Sequence, residues 1–286
     1  MLGVLASMLD GVLVGAVYGL GAIGLTLIWG VMDVINLTHG ALIAMGMFGV
    51  YLLFSGLGLN PYLALVPVAA AGFLIGLAIY WSAVHRVIGR PPLMSLLSTF
   101  AVNMVLIGLG TSGFSTSPYN VDISLPGISL GAYTFTGNHL VAALAAVAIA
   151  GGLSLFLQRT RLGKAIRAVS SNRKAAELMG IPAARVLAQA FGIGIAIATA
   201  AGGLIATLFP FTVLSGGGYE LKSFVVTVLG GLGNPAGALA GGILLGLIEG
   251  GVTPFIQVSW IPVIEFALFV GILLAFPNGL FARRGH

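Results

Sequence analysis

Residues 8–31 read MLDGVLVGAVYGLGAIGLTLIWGV, a stretch with one acid, Asp10, and no basic residue. It lacks the alternation of a barrel strand and is long enough to cross a bilayer as a helix, for which about 20 residues suffice. No basic residue precedes the apolar run, which continues well past the first residues, so a cleaved signal peptide is not expected. The same pattern recurs near 38–55, 60–81, 93–112, 138–157, 186–209, 236–252 and 259–277. That makes about eight spans, with an ambiguous shorter stretch at 223–233 as a possible ninth, broken element. The chain of 286 residues is 58% hydrophobic and 7% charged, whereas a soluble domain is about a quarter charged. It is therefore predicted to be a single all-α polytopic membrane domain over 1–286, with no room for a soluble catalytic domain.

Composition excludes further classes. No cysteine is present, which removes disulfides, iron–sulfur clusters and thiol catalysis. The 44 glycines suit helices packed backbone to backbone in lipid. The net charge of +5 does not point to nucleic acid, because the basic residues lie between apolar segments. No P-loop and no two-His/carboxylate metal spacing occur, and no cofactor is expected.

Charge sets the topology. The loop 158–185 carries Arg159, Arg161, Lys164, Arg167, Arg173, Lys174 and Arg185 against one acid, Glu177. The loop 113–137 has no Lys or Arg. The positive-inside rule puts the first in the cytoplasm and the second outside, which agrees with Arg86 and Arg90 one span earlier and places the N-terminus outside. Eight spans would leave Arg283 and Arg284 outside as well. A crossing element at 223–233, entered at Glu220 and Lys222 and left through Gly230–Pro235, would return that tail to the cytoplasm.

The cytoplasmic loop reads RLGKAIRAVSSNRKAAELMGIPAAR over 161–185. Leu162, Ile166 and Val169 share one helical face. A second short helix fits 172–179, capped by Asn172 and stopped by Gly180 and Pro182. Such a pair exposing Leu178 and Met179 is either a docking surface or a basic loop that fixes topology and meets anionic lipid.

This loop resembles the coupling segment of ATP-binding cassette (ABC) importer permeases, with Glu177-Leu178-Met179-Gly180 followed by Ile181-Pro182. The whole chain resembles the LivH/LivM type of branched-chain amino acid permease, the LivH branch most. The resemblance is carried by Gly21–Val31, Ile35-Asn36-Leu37-Thr38-His39-Gly40, the loop from Arg161 to Pro182, and Val228–Ala238 running on to Gly246 and Glu249. The ending Phe276-Pro277-Asn278-Gly279-Leu280-Phe281 also fits. Departures are Leu37-Thr38 where Phe-Ala is usual, Asn172 where an acid is usual, and His85 where a Glu often stands. The resemblance implies a multi-pass permease of a bacterial inner or plasma membrane, working with two ABC ATPase subunits, a second LivM-like permease chain and a soluble substrate-binding protein. The cargo would be branched-chain amino acids or related small polar solutes. Arg161, Gly163, Arg167, Ala168, Glu177, Leu178, Met179 and Gly180 would couple to the ATPase.

Polar residues in lipid need partners or roles. Asn36, His39, Gly40, Asn234 and Glu249 are the candidates for the translocation path. For Asn36 and Thr38 the favoured role is to cap the helix that follows, Glu265 reads as packing, and Asp10 as an outer-interface residue. His39-Gly40-Ala41-Leu42 and Pro235-Ala236-Gly237-Ala238-Leu239 echo one another as openings of apolar segments, the pattern of paired interrupted helices around a transport site. Gly216-Gly217-Gly218 reads as a flexible outer loop. Asn234-Pro235-Ala236 matches one half-helix of a water channel and supports a self-sufficient channel as the alternative. Gly110-Thr111-Ser112-Gly113 with His139 would be needed for an intramembrane protease.

Overall fold

The structure is a computed structural model describing residues 2–130, 133–276 and 279–280. Its helices are α1 (Leu2–Met32), α2 (His39–Leu57), α3 (Pro61–Ile79), α4 (Pro92–Gly113), α5 (Gly137–Arg159), α6 (Arg161–Ser171), α7 (Arg173–Leu178), α8 (Ala183–Ala206), α9 (Ser215–Gly230), α10 (Pro235–Val252) and α11 (Ile261–Ala275). A π-helical turn, Tyr80–Val84, prolongs α3. Among the described residues seven helices are long and apolar enough to span a membrane: α1, α2, α3 with its π turn, α4, α5, α8 and α10. α9 and α11 are shorter. The eight predicted spans correspond to these seven and α11, and α9 is the additional element anticipated at 223–233, here starting eight residues earlier.

One feature departs from the purely helical reading. The outer loop contains a hairpin of β1 (Ile128–Leu130) and β2 (Tyr133–Phe135), paired antiparallel with Ile128 opposite Phe135. Strands this short leave no periodicity to read.

α1 and α8 are the buried centre; α4 is the most exposed span. α1 and α10 run antiparallel with glycines interleaved. Gly11, Gly15 and Gly19 recur every fourth residue on α1, as Gly242, Gly246 and Gly250 do on α10. Methyls added at Gly246 and Gly250 would fall on the carbonyl oxygens of Gly11 and Ser7. Without a hydrophobic force between helices in lipid, this backbone-to-backbone approach is what holds the pair, through dispersion. Thr26 on α1 donates to Thr227 on α9 at 3.0 Å in the buried interior, adding one interhelical hydrogen bond.

Two side-chain cores follow. Towards the outside, Phe48 stacks on Phe114 with centroids 4.1 Å apart and meets Tyr119 and Phe211 edge-on. Paired backbone hydrogen bonds between Tyr119 and Phe211 tie the outer loop to the segment after α8. At the other end, Ile28 of α1, Tyr80 and Val84 after α3, and Phe191 of α8 pack with Ile166, Val169 and Ala176 of α6 and α7. The basic loop is thus fastened to the ends of three spans, on the side that charge assigns to the cytoplasm. The Leu280 N–H donates to Leu229 O at 3.0 Å, bringing the chain back to the end of α9. With α9 as an extra membrane-embedded element, Leu280 comes to the cytoplasmic side with the end of α9. Pro277, Asn278, Phe281 and the Arg283–Arg284 pair lie outside the described residues.

Candidate functional site

α1 ends at Asp33, which adopts φ +52°, a left-handed conformation that a short acidic side chain tolerates. The chain then turns back into the helix bundle instead of leaving it. By His39 it has returned to Gly21, roughly three turns before the end of α1: His39 Nε2 lies 3.0 Å from Gly21 O, and since a carbonyl only accepts, that nitrogen carries the proton. Non-helical backbone inside a membrane needs partners. Thr99 of α4 supplies them, accepting from the Leu37 N–H at 3.2 Å and lying 3.0 Å from Ile35 O.

Asn36, Thr38 and His39 are completely buried. Thr38 occupies the N-cap of α2 yet makes no side-chain cap bond. Its hydroxyl donates at 2.5 Å to Asn36 Oδ1, which also accepts from the Thr38 N–H at 3.2 Å. Asn36 therefore fixes the residue before the helix, and α2 keeps free N–H groups at its first turn. Asn36 Nδ2 and His39 Nδ1 are buried with no partner.

Against this end lies the start of α9. A methyl at Gly40 would strike Gly216 O and stand 2.7 Å from Glu220 Cβ; one at Gly216 would strike Gly40 O. Gly216-Gly217-Gly218 is thus the first turn of α9 and not a flexible outer loop, because Gly216 is what permits this contact. From the junction α2 runs outward, while α9 follows α1 towards the cytoplasm through the Thr26–Thr227 contact and ends where Gly233 meets Gly30. Two helix N-termini, each with partial positive charge, meet within the bundle. Glu220 sits between them, with Oε2 beside Gly40 and Oε1 buried without a partner. The partner of the α2 opening is consequently the start of α9, and not that of α10, as the sequence echo suggested.

Asn234 stands at the N-cap of α10, and the adjoining Gly233 packs on Gly30 near the cytoplasmic end of α1. It is distant along α1 from the α2–α9 junction, so the two half-helices that a water channel opposes are not formed by Asn234 and α2. Glu249 of α10 and Glu265 of α11 both accept from the Lys222 ammonium of α9. That ammonium also lies 4.7 Å above the Tyr18 ring. Glu249 thus belongs to a charge cluster with Glu265, and Lys222 is the residue whose importance sequence reasoning passed over; a lysine within an apolar helix was the available signal. Asp10 meets His139 at 2.6 Å. The Ser112 hydroxyl donates to Leu109 O, so the protease constellation of Ser112 with His139 is not assembled.

In the cytoplasmic loop, Thr160 caps α6 through the Gly163 N–H at 3.0 Å, and Asn172 caps α7 through the Ala175 N–H at 2.9 Å. Ile166 and Val169 face inward and Leu162 is half-buried, as the spacing predicts. Gly163 is a packing residue: a methyl there would stand 2.5 Å from Leu157 Cα. Ala168 packs at the edge of the cytoplasmic core, and Arg161 and Arg167 are exposed. Arg173 pairs with Glu177 at 3.1 Å on the surface. Gly180 ends the short helix at φ +81°. Leu178 and Met179, at 88% and 82% exposure, project from a loop whose other face is buried.

Comparison with known proteins agrees with this architecture. The family model described as the permease component of branched-chain amino acid transport systems matches residues 7–276. The chain is 29% identical to the high-affinity branched-chain amino acid transport permease LivH of Escherichia coli K12, covering 98% of this chain and 96% of that protein. It is 28% identical to BraD of Pseudomonas aeruginosa over the same shares, and 27% identical to a probable LivH of Methanocaldococcus jannaschii over 91% of this chain and 86% of that one. With seven helices among the described residues long and apolar enough to cross a membrane, and a re-entrant junction between two helix starts, the chain is a multi-pass cell-membrane protein that belongs to the family of branched-chain amino acid transport permease components, of the LivH type.

Proposed function

We propose that this chain is one of two membrane halves of an ATP-driven importer that moves branched-chain amino acids or related small polar solutes into the cytoplasm. The observation that carries the reading is the α7 tip. Leu178 and Met179 are fully presented to the cytoplasm, while Ala176, two residues away from Leu178, is buried in the core shared by α1, α3 and α8. A partner that grips the tip moves those spans with it. The exposed Arg161, Arg167 and Glu177 of the same loop would meet the partner, and Gly163 and Ala168 anchor α6 beneath it. The partner is a pair of ABC ATPase subunits, which this chain needs because it contains no P-loop of its own. A second, LivM-like permease chain completes the path, and a soluble binding protein delivers cargo to the outer mouth.

Within the chain, the path passes the α2–α9 junction. An amino acid offers a carboxylate and an ammonium. The free N–H groups of α2 with Asn36 Nδ2 suit the first, and Glu220 suits the second. ATP binding would favour one arrangement of these spans over the other, by as much as it binds the two states differently. In the assembled transporter, Leu178→Glu with Met179→Glu is expected to abolish cargo-stimulated ATP hydrolysis and uptake, with membrane insertion unchanged. Normal coupling in that variant would overturn the docking role of α7.

A further inference from the structure

A cleft of about 940 Å³ opens on the cytoplasmic side, between the ends of α1 and α5, the α6 helix and the turn from α9 into α10. Its polar lining includes Arg159, Arg167, Gln158, Ser154 and Ser170, with Thr26 and Asn234. No acidic residue lines it. Neither Arg159 nor Arg167 forms an ion pair among the described residues, although Arg173 in the same loop does. The first residues of α10, Pro235 and Ala236, complete the positive side with the helix's N-terminal end. The apolar lining includes Leu27, Leu157 and Ile166.

We infer that this cleft is a binding site for the phosphate headgroup of an anionic phospholipid from the cytoplasmic leaflet. Two guanidiniums without carboxylate partners, beside a helix N-terminus, are matched by phosphate oxygens that accept in pairs. The apolar lining takes the glycerol and upper acyl carbons, which free phosphate does not possess. The site lies where α5 leaves the membrane, at headgroup level, and its volume is within the range that encloses a small ligand. Arg167 sits on α6, whose inner face enters the same core as α7, so an occupied cleft holds the coupling tip in place. The inference is independent of what the permease carries.

The test uses the full-length chain, with whatever companions it retains, extracted in neutral detergent and stripped of lipid. Short-chain phosphatidylglycerol is titrated against thermal unfolding, with phosphatidylcholine of equal chain length and inorganic phosphate as parallel probes. Phosphatidylglycerol alone is expected to raise Tm saturably. Arg159→Gln with Arg167→Gln should weaken that response at least ~tenfold, since the charge-assisted, paired hydrogen bonds to the phosphate are lost. Arg86→Gln with Arg90→Gln, an equal charge change elsewhere on the cytoplasmic side, should leave it intact. Arg159→Lys with Arg167→Lys keeps the charge without the two-pronged donor and should fall between. Equal weakening in the Arg86/Arg90 variant would overturn the inference in favour of diffuse attraction. The same Tm rise with inorganic phosphate would reassign the cleft to a free anion, and no response to phosphatidylglycerol would remove the site.

Discussion

Replacing Lys222 with Met is expected to destabilise the permease by about 3–5 kcal/mol, the cost of leaving buried carboxylates without their counter-charge. Lys222 is the cation among three buried or half-buried charged groups from three helices, with Glu249 and Glu265 accepting from its ammonium. Glu265 is buried, and in lipid an unpaired charge has no nearby water to recover. The pair also fastens α11, which otherwise presents Val263, Phe266, Val270 and Leu274 to its surroundings. The expected result is low recovery of monodisperse protein from membranes and a reduced Tm. Adding Glu249→Gln and Glu265→Gln to Lys222→Met should restore most of the loss, because a buried ion group replaced as a whole costs little. Unchanged stability of the single variant would show that the cluster is not the lock described above.

The second large effect lies in the glycine ladder. Gly246→Val would drive its Cβ onto the Gly11 carbonyl oxygen and to 2.6 Å from Gly15 Cα, both backbone atoms that no rotamer change can move aside. The helices must separate along much of their length, at a cost above about 3 kcal/mol. Gly152→Ala on α5 meets nothing within 4 Å and should change stability by less than about 1 kcal/mol. A Gly246→Val protein as stable as one carrying Gly152→Ala would mean that α1 and α10 do not pack as described.

The parts of this molecule that were legible in its sequence are those whose information is local. Long apolar runs announced the spans, and the spacing of Leu162, Ile166 and Val169 announced the buried face of α6. Asn172 and Gly180 marked the ends of α7 because capping and left-handed termination are decided within a few residues. The concealed parts depend on distant contacts. A run of three glycines looks flexible until Gly40 is brought against Gly216. Lys222 is separated from Glu249 and Glu265 by whole helices, so nothing in the local pattern pairs them. The re-entrant return to Gly21 depended on Thr99, a residue of α4 with no sequence feature to distinguish it. The junction's most charged group, Glu220, was visible only as the edge of an ambiguous apolar stretch.

The most direct test of the central claim is the composition of the intact assembly. The tagged chain would be extracted gently from its own membrane and every stoichiometric companion identified. The expected result is two P-loop ATPase subunits and a second permease chain, with ATP hydrolysis stimulated by a loaded binding protein. A clean homo-oligomer that conducts solute without ATP would contradict the account and identify the chain as a channel.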